Sequence, residues 1–147
     1  MNFVFVERIL EMVPGKTIRA IKFIQSDEEI FEVHFPGFPV VPGVFLTEMM
    51  AQTAGKCLDA ERKPRGKAML AQIKSAHFRK YVGPSQEATV RSEILVNRES
   101  YATAKCAVEV NNSIISTAEL FFAFVSYQKL APGYRDDVLE SFLSGNR

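Results

Sequence analysis

At 147 residues, 47% apolar and 24% charged, the chain has ordinary globular composition and enough length for one core. A formal net charge of +1 argues against global attraction to nucleic acid or to an anionic membrane. No apolar run approaches the roughly 20 residues of a spanning helix, and Glu7 and Arg8 interrupt the start where a signal peptide stays apolar, so a cytosolic, mature single domain (1–147) is expected.

In chain order, residues 2–12 place Phe5, Ile9 and Met12 at near-helical spacing and predict a helix, ended by Pro14-Gly15. Lys16 to Gln25 alternates, with Ile18, Ala20 and Lys22 against Thr17, Arg19, Ile21 and Phe23, and predicts a strand. Glu29 to Phe35 predicts a second strand, with Phe31, Val33 and Phe35 on one face and Ile30, Glu32 and His34 on the other. Pro36, Gly37, Pro39, Pro42 and Gly43 then form an irregular loop. A helix follows from about Pro42 to Ala60, with proline suited to its first turn. Val44, Phe45, Leu46, Met49, Met50, Ala51, Ala54, Cys57 and Leu58 leave it almost no polar stripe, so it is expected to be buried on most sides.

Past a basic loop (61–67), four stretches rich in β-branched and aromatic residues predict strands: Met69–Val82, Glu87–Asn97, Tyr101–Val110 and Ile114–Tyr127. Asn111-Asn112 suits a two-residue hairpin turn, and Asn97–Ser100 is a second turn. In the tail, from Gln128 on, Asp136 is placed to cap a short C-terminal helix. The order α-β-β-α-β-β-β-β predicts an α+β fold, an antiparallel sheet wrapped around one long central helix. Cys57 and Cys106 read as two buried free thiols, no spacing suits a metal, and most of the twelve phenylalanines are expected in the core.

Two residues stand out chemically. Glu48 sits in an apolar helix with Val44, Phe45, Ala51 and Gln52 as its neighbours one turn away, and none of these is a cation. An unpaired carboxyl in such a setting holds its proton to higher pH and can act as an acid near neutrality; the plainer reading puts it on a polar edge with Thr47, Gln52 and Lys56. His34, the usual kind of base near neutral pH, precedes a loop leading straight to a helix N-terminus, where free N–H groups and Gly43 can receive a substrate oxygen. Base, oxyanion donors and acid thus lie in one short stretch, in an order suited to proton abstraction beside a carbonyl.

The run His34-Phe35-Pro36-Gly37-Phe38-Pro39-Val40-Val41-Pro42-Gly43-Val44, continuing to Glu48-Met49-Met50-Ala51-Gln52-Thr53-Ala54-Gly55, closely resembles the signature of the hot-dog-fold 3-hydroxyacyl-(acyl-carrier-protein) dehydratases. Weaker similarity extends over roughly residues 8–126 and leaves the tail from Gln128 outside. The resemblance implies a homodimer with shared sites, its further assembly into a trimer of dimers left open. His34 of one chain would remove the α-proton of a 3-hydroxyacyl thioester. Glu48 of the other would serve the departing hydroxyl, Gly43 N–H would polarise the carbonyl, and Gln52 would support Glu48. No cofactor is implied. The family's isomerising branch resembles this motif but carries aspartate and cysteine where Glu48 and Val44 stand, which implies dehydration alone.

Two departures bear on the substrate: Val33 replaces the usual glycine before the histidine, and Pro84-Ser85-Gln86 replaces a Pro-Gly-Asp turn. Arg62, Lys63, Arg65, Lys67, Arg79 and Lys80 form the main basic group, a candidate docking face for an acidic acyl carrier protein or simply solvated surface. The rival activities are a hot-dog thioesterase, against which His34 argues, and a non-catalytic acyl-binding or scaffold subunit. Acyl length and pathway, whether fatty acid, polyketide or polyene, are not legible.

Overall fold

The computed structural model describes residues 3–145; Asn2 of the expected first helix and the last two residues of the tail lie outside the described residues. The strands are β1 (Arg8–Val13), β2 (Thr17–Phe23), β3 (Lys67–Phe78), β4 (Glu87–Asn97), β5 (Ala102–Val110) and β6 (Ser113–Val125). They pair antiparallel in one sheet, in the order β1-β2-β4-β5-β6-β3. The helices are α1 (Ile30–Val33), α2 (Gly43–Asp59) and α3 (Asp137–Leu143), with a single 3-10 turn at Tyr127–Lys129.

The apolar composition of α2 explains its place. Leu46, Met49, Met50, Ala54, Cys57 and Leu58 are buried, and α2 packs against β2 through β6. On the sheet side, Val90, Ala104, Val108, Leu120 and Phe122 complete the core. Each large side chain so buried contributes roughly 1.5–3 kcal/mol, which offsets the ordering of a helix seventeen residues long. The α+β expectation of a sheet around one long helix holds. Asn111 and Asn112, at φ 51° and 63°, make the tight β5–β6 turn, and Asp136 Oδ1 caps α3 by accepting from Leu139 N–H at 3.0 Å.

Two expected elements are corrected. The segment predicted as the first helix is extended, and its ordered core is β1. The register slips between Ile9 and Glu11, so Leu10 is an extra, bulged residue. The bulge converts a strand's two-residue period into the three-residue step from Ile9 to Met12, which mimics a helix. The segment predicted as the second strand is instead the turn of helix α1. Glu32 N–H donates to Glu29 O and His34 N–H to Ile30 O. The strand β2 already pairs with β1 and β4, so this segment meets no open edge and satisfies its backbone locally. The phenylalanines are also less buried than expected: only Phe5, Phe31 and Phe122 of the twelve are in the buried core.

Cys57 and Cys106 are free and buried, as expected. Burial pushes the Cys57 thiol up to about 11 and the Cys106 thiol up to about 12. In the unfolded chain thiols ionise from about pH 8.5, so unfolding releases protons above that pH. The stability these thiols contribute is whole below about pH 8.5 and falls as pH climbs toward their folded values. The urea midpoint is therefore expected to drop between pH 8 and pH 10.5, and to drop less in a Cys57→Ala/Cys106→Ala variant.

Candidate active site

His34 closes α1 and opens the proline–glycine loop. Its carbonyl accepts from Val40 N–H at 3.0 Å, and its ring Nδ1 lies 3.0 Å from Val40 O. A carbonyl only accepts, so Nδ1 carries a proton, and in the neutral ring Nε2 is then the acceptor, the tautomer a general base requires. The Phe35 ring stacks on the imidazole with centroids 4.0 Å apart. Phe35 and Phe38 exchange two backbone hydrogen bonds of 2.8 Å, closing a turn in which Gly37 takes φ +76°. The half-buried imidazole is thus held by the loop that follows it. Val33 is 67% exposed, so within one chain it narrows no pocket around His34.

Val41 N–H donates to Val82 O at 2.7 Å and steers the chain into α2, whose first residue is Gly43. In that position its N–H has no acceptor inside the helix. A Cβ on Gly43 would meet the Phe78 ring at 3.1 Å, so the glycine also makes room for the end of β3.

Glu48 is half-buried, one turn on along α2. Gln52 Nε2 donates to Glu48 Oε1 at 3.1 Å and to Phe3 O at 2.7 Å, while Gln52 Oε1 accepts from Phe5 N–H at 2.9 Å. One amide therefore orients the carboxyl and pins the N-terminal segment beside it. Gln52→Leu is expected to strip Phe5 N–H and Glu48 of this partner, lowering Tm by about 5 °C. It is also expected to reduce kcat less than replacement of Glu48 itself, as thermal melts and steady-state rates would show.

Glu48 opens into a cavity of about 490 Å³ bounded by the N-terminal segment, α2, β3, β6 and the tail; His34 does not line it. One chain thus brings Glu48 and Gln52 together and holds His34 elsewhere. Among the residues lining the same cavity to which sequence reasoning gave no role here are Gly55, Tyr134 and Asp136. A signal existed for Gly55, since glycine inside a helix costs about 1 kcal/mol relative to alanine; none existed for the tail.

The six basic residues do not form one face. Arg62 pairs with Glu140, Lys63 with Glu61 and Lys67 with Asp59. Burial works against the Lys67 ammonium, but the Asp59 carboxylate outweighs it and holds lysine above its usual range. Arg65, with its side chain 3% exposed, bonds Glu61, Asn97 and Arg98 O and lies 3.8 Å over the Phe124 ring. Arg65 thus ties the loop after α2 to the sheet, while Arg62 ties it to α3 and Lys67 joins β3 to the end of α2. Arg79 and Lys80 are exposed at the opposite end of β3. The strand β3 is a sheet edge, carries two bulges and exposes Met69, Leu70, Ile73 and Phe78.

A family model described as a FabA-like domain matches residues 1–119. The 3-hydroxyacyl-[acyl-carrier-protein] dehydratase FabZ of Listeria monocytogenes serotype 4b is 34% identical over 128 residues, covering 86% of this chain and 89% of that protein. FabZ of Geobacillus thermodenitrificans is 37% identical over 122 residues, covering 82% and 84%. Among solved structures, the dehydratase heterocomplex ApeI:P from Xenorhabdus doucetiae superposes with a TM-score of 0.69 at 16% identity, covering 86% of each chain. A hypothetical thioesterase with coenzyme A from Streptococcus pneumoniae TIGR4 gives 0.65 at 10% identity, covering 81% of this chain and 85% of that one. These two likenesses establish the hot-dog fold, which dehydratase and thioesterase share, so chemistry must be argued from residues.

Proposed function

This chain belongs to the FabA-like family, and from that premise we propose that His34 and Glu48 are the acid–base pair with which it dehydrates its substrate. The chain is a 3-hydroxyacyl-(acyl-carrier-protein) dehydratase, a hydro-lyase that turns 3-hydroxyacyl thioesters into trans-2-enoyl thioesters in fatty-acid biosynthesis. The observation that carries the residue assignment is the His34 ring, tied at Nδ1 to Val40 O, which leaves Nε2 of the neutral ring as the acceptor. Nε2 takes the α-proton, and the charge that moves onto the thioester oxygen is met by Gly43 N–H at the start of α2. Glu48 gives its proton to the departing 3-hydroxyl, which leaves as water. The imidazolium and carboxylate that remain return to their starting states by proton exchange with solvent.

The pair works in trans. In one chain the cavity of Glu48 is bordered by Leu70 of β3, while the far end of β3, Phe78, packs on Gly43 at the end of the His34 loop. A second copy of β3 laid antiparallel along this exposed apolar edge, paired about its middle, sets the Phe78 end of each protomer beside the Leu70 end of the other. Arg79 and Lys80 then flank the entrance and suit an acidic carrier protein.

The test is turnover of 3-hydroxyacyl carrier substrates. Growth of conjugated enoyl absorbance without free thiol is expected. Thiol release without enoyl product would make the chain a thioesterase.

A further inference from the structure

We propose that Gly55 and the C-terminal tail set the length of acyl chain this enzyme accepts. The proposal rests on the dehydratase reading and deepens it. Starting at Glu48, the cavity follows one face of α2, and between the polar side chains of Gln52 and Lys67 its walls are the small or apolar Ala51, Gly55, Ala68, Leu70 and Phe122. An alkyl chain attached to the reacting carbon has this channel to enter, and burying its methylenes there is favourable.

Gly55 is buried, yet a Cβ built on it would find no heavy atom within 4 Å. Close packing within the chain therefore does not account for a glycine here, in the interior of a helix where alanine is the better residue. What the glycine leaves is open width in the cavity, two helical turns or about 10 Å beyond Glu48. With C–C bonds of about 1.5 Å in a zigzag, roughly eight carbons cover that distance.

At the far end the walls change character. Tyr134 and Asp136 of the tail line the cavity together with Lys56. Lys56 Nζ and Asp136 Oδ2 are 2.6 Å apart, with side chains 12% and 15% exposed. A methyl terminus pressed against this pair would take away its remaining water and return no hydrogen bond, so the pair acts as a floor. The floor is fixed in place. Asp136 also caps α3, and α3 is anchored by Leu139, 4% exposed, in a cluster with Ile9 and Cys57. The tail lies beyond residues 1–119, the part that the family model matches.

The experiment measures kcat/KM over 3-hydroxyacyl carriers from about four to about sixteen carbons. Its readout is the ratio of long-chain to short-chain values, whatever happens to the overall rate. Gly55→Leu is expected to lower the ratio at about twelve carbons by at least tenfold, because its side chain fills the room of several methylenes. Asp136→Ala is expected to raise the ratio at about sixteen carbons by a similar factor. Should Gly55→Leu fail to fold by circular dichroism, Gly55→Ala, which suits a helix, carries the same test with a fall of about threefold. A Gly55 variant that lowers all lengths equally, or none, overturns the proposal, as does an unmoved ratio in Asp136→Ala. Absence of enoyl product at every length in the unmodified protein is a separate result, which sinks the dehydratase reading itself.

Discussion

Replacing His34 by alanine is expected to lower kcat by at least about 10²-fold, the usual scale for losing a general base. Two substitutions separate chemistry from architecture. His34→Ala removes both the acceptor Nε2 and the bond from Nδ1 to Val40 O. His34→Gln can still donate to Val40 O through its amide but offers no basic nitrogen. Both should lose activity alike, while the glutamine variant keeps the Phe35–Phe38 turn and melts near the parent. Unchanged turnover in either variant would place the base elsewhere, and activity retained by His34→Gln alone would make the histidine a loop fastener.

Glu48→Gln is expected to cost a comparable factor, since the amide can accept from Gln52 but cannot deliver a proton to a leaving hydroxyl. Mixing the two inactive proteins tests the shared site directly. In a mixed dimer, one site inherits both lesions and the other inherits neither. Random exchange of equal amounts of His34→Ala and Glu48→Gln chains should then restore about a quarter of the parent activity. A site built from one chain regains nothing on mixing. The mixture must be held under conditions where dimers exchange, which labelled protomers can verify.

Much of this molecule was legible before any coordinates. The helix Gly43–Asp59 was legible because an apolar stretch that long, entered through Pro42, has few other stable forms. The span of β4 and the Asn111-Asn112 turn were legible from alternation and turn chemistry. What stayed hidden depended on partners distant in sequence. Leu10 is a bulge only because β2 runs beside it. Arg65 looks like surface charge until Asn97 and Phe124 come to meet it. Of the bonds of Gln52, the one to Glu48 is visible at one helical turn, but those to Phe3 and Phe5 join residues nearly fifty positions apart. The split of the basic group has the same origin, since β3 carries Lys67 and Arg79 to opposite ends of an extended strand.

The amide of Gln52 ties residues 3–5 to the helix that carries Glu48. The Glu48 carboxyl shares that amide with Phe3 and Phe5, so its setting is complete only when a segment nearly fifty positions before Gln52 has docked on the helix. A tag placed before Phe3 pulls on the same amide that holds the Glu48 carboxyl, whereas a tag placed after α3 pulls on the Lys56–Asp136 pair that lines the same cavity. Where an investigator attaches a handle thus selects which wall of that cavity is disturbed.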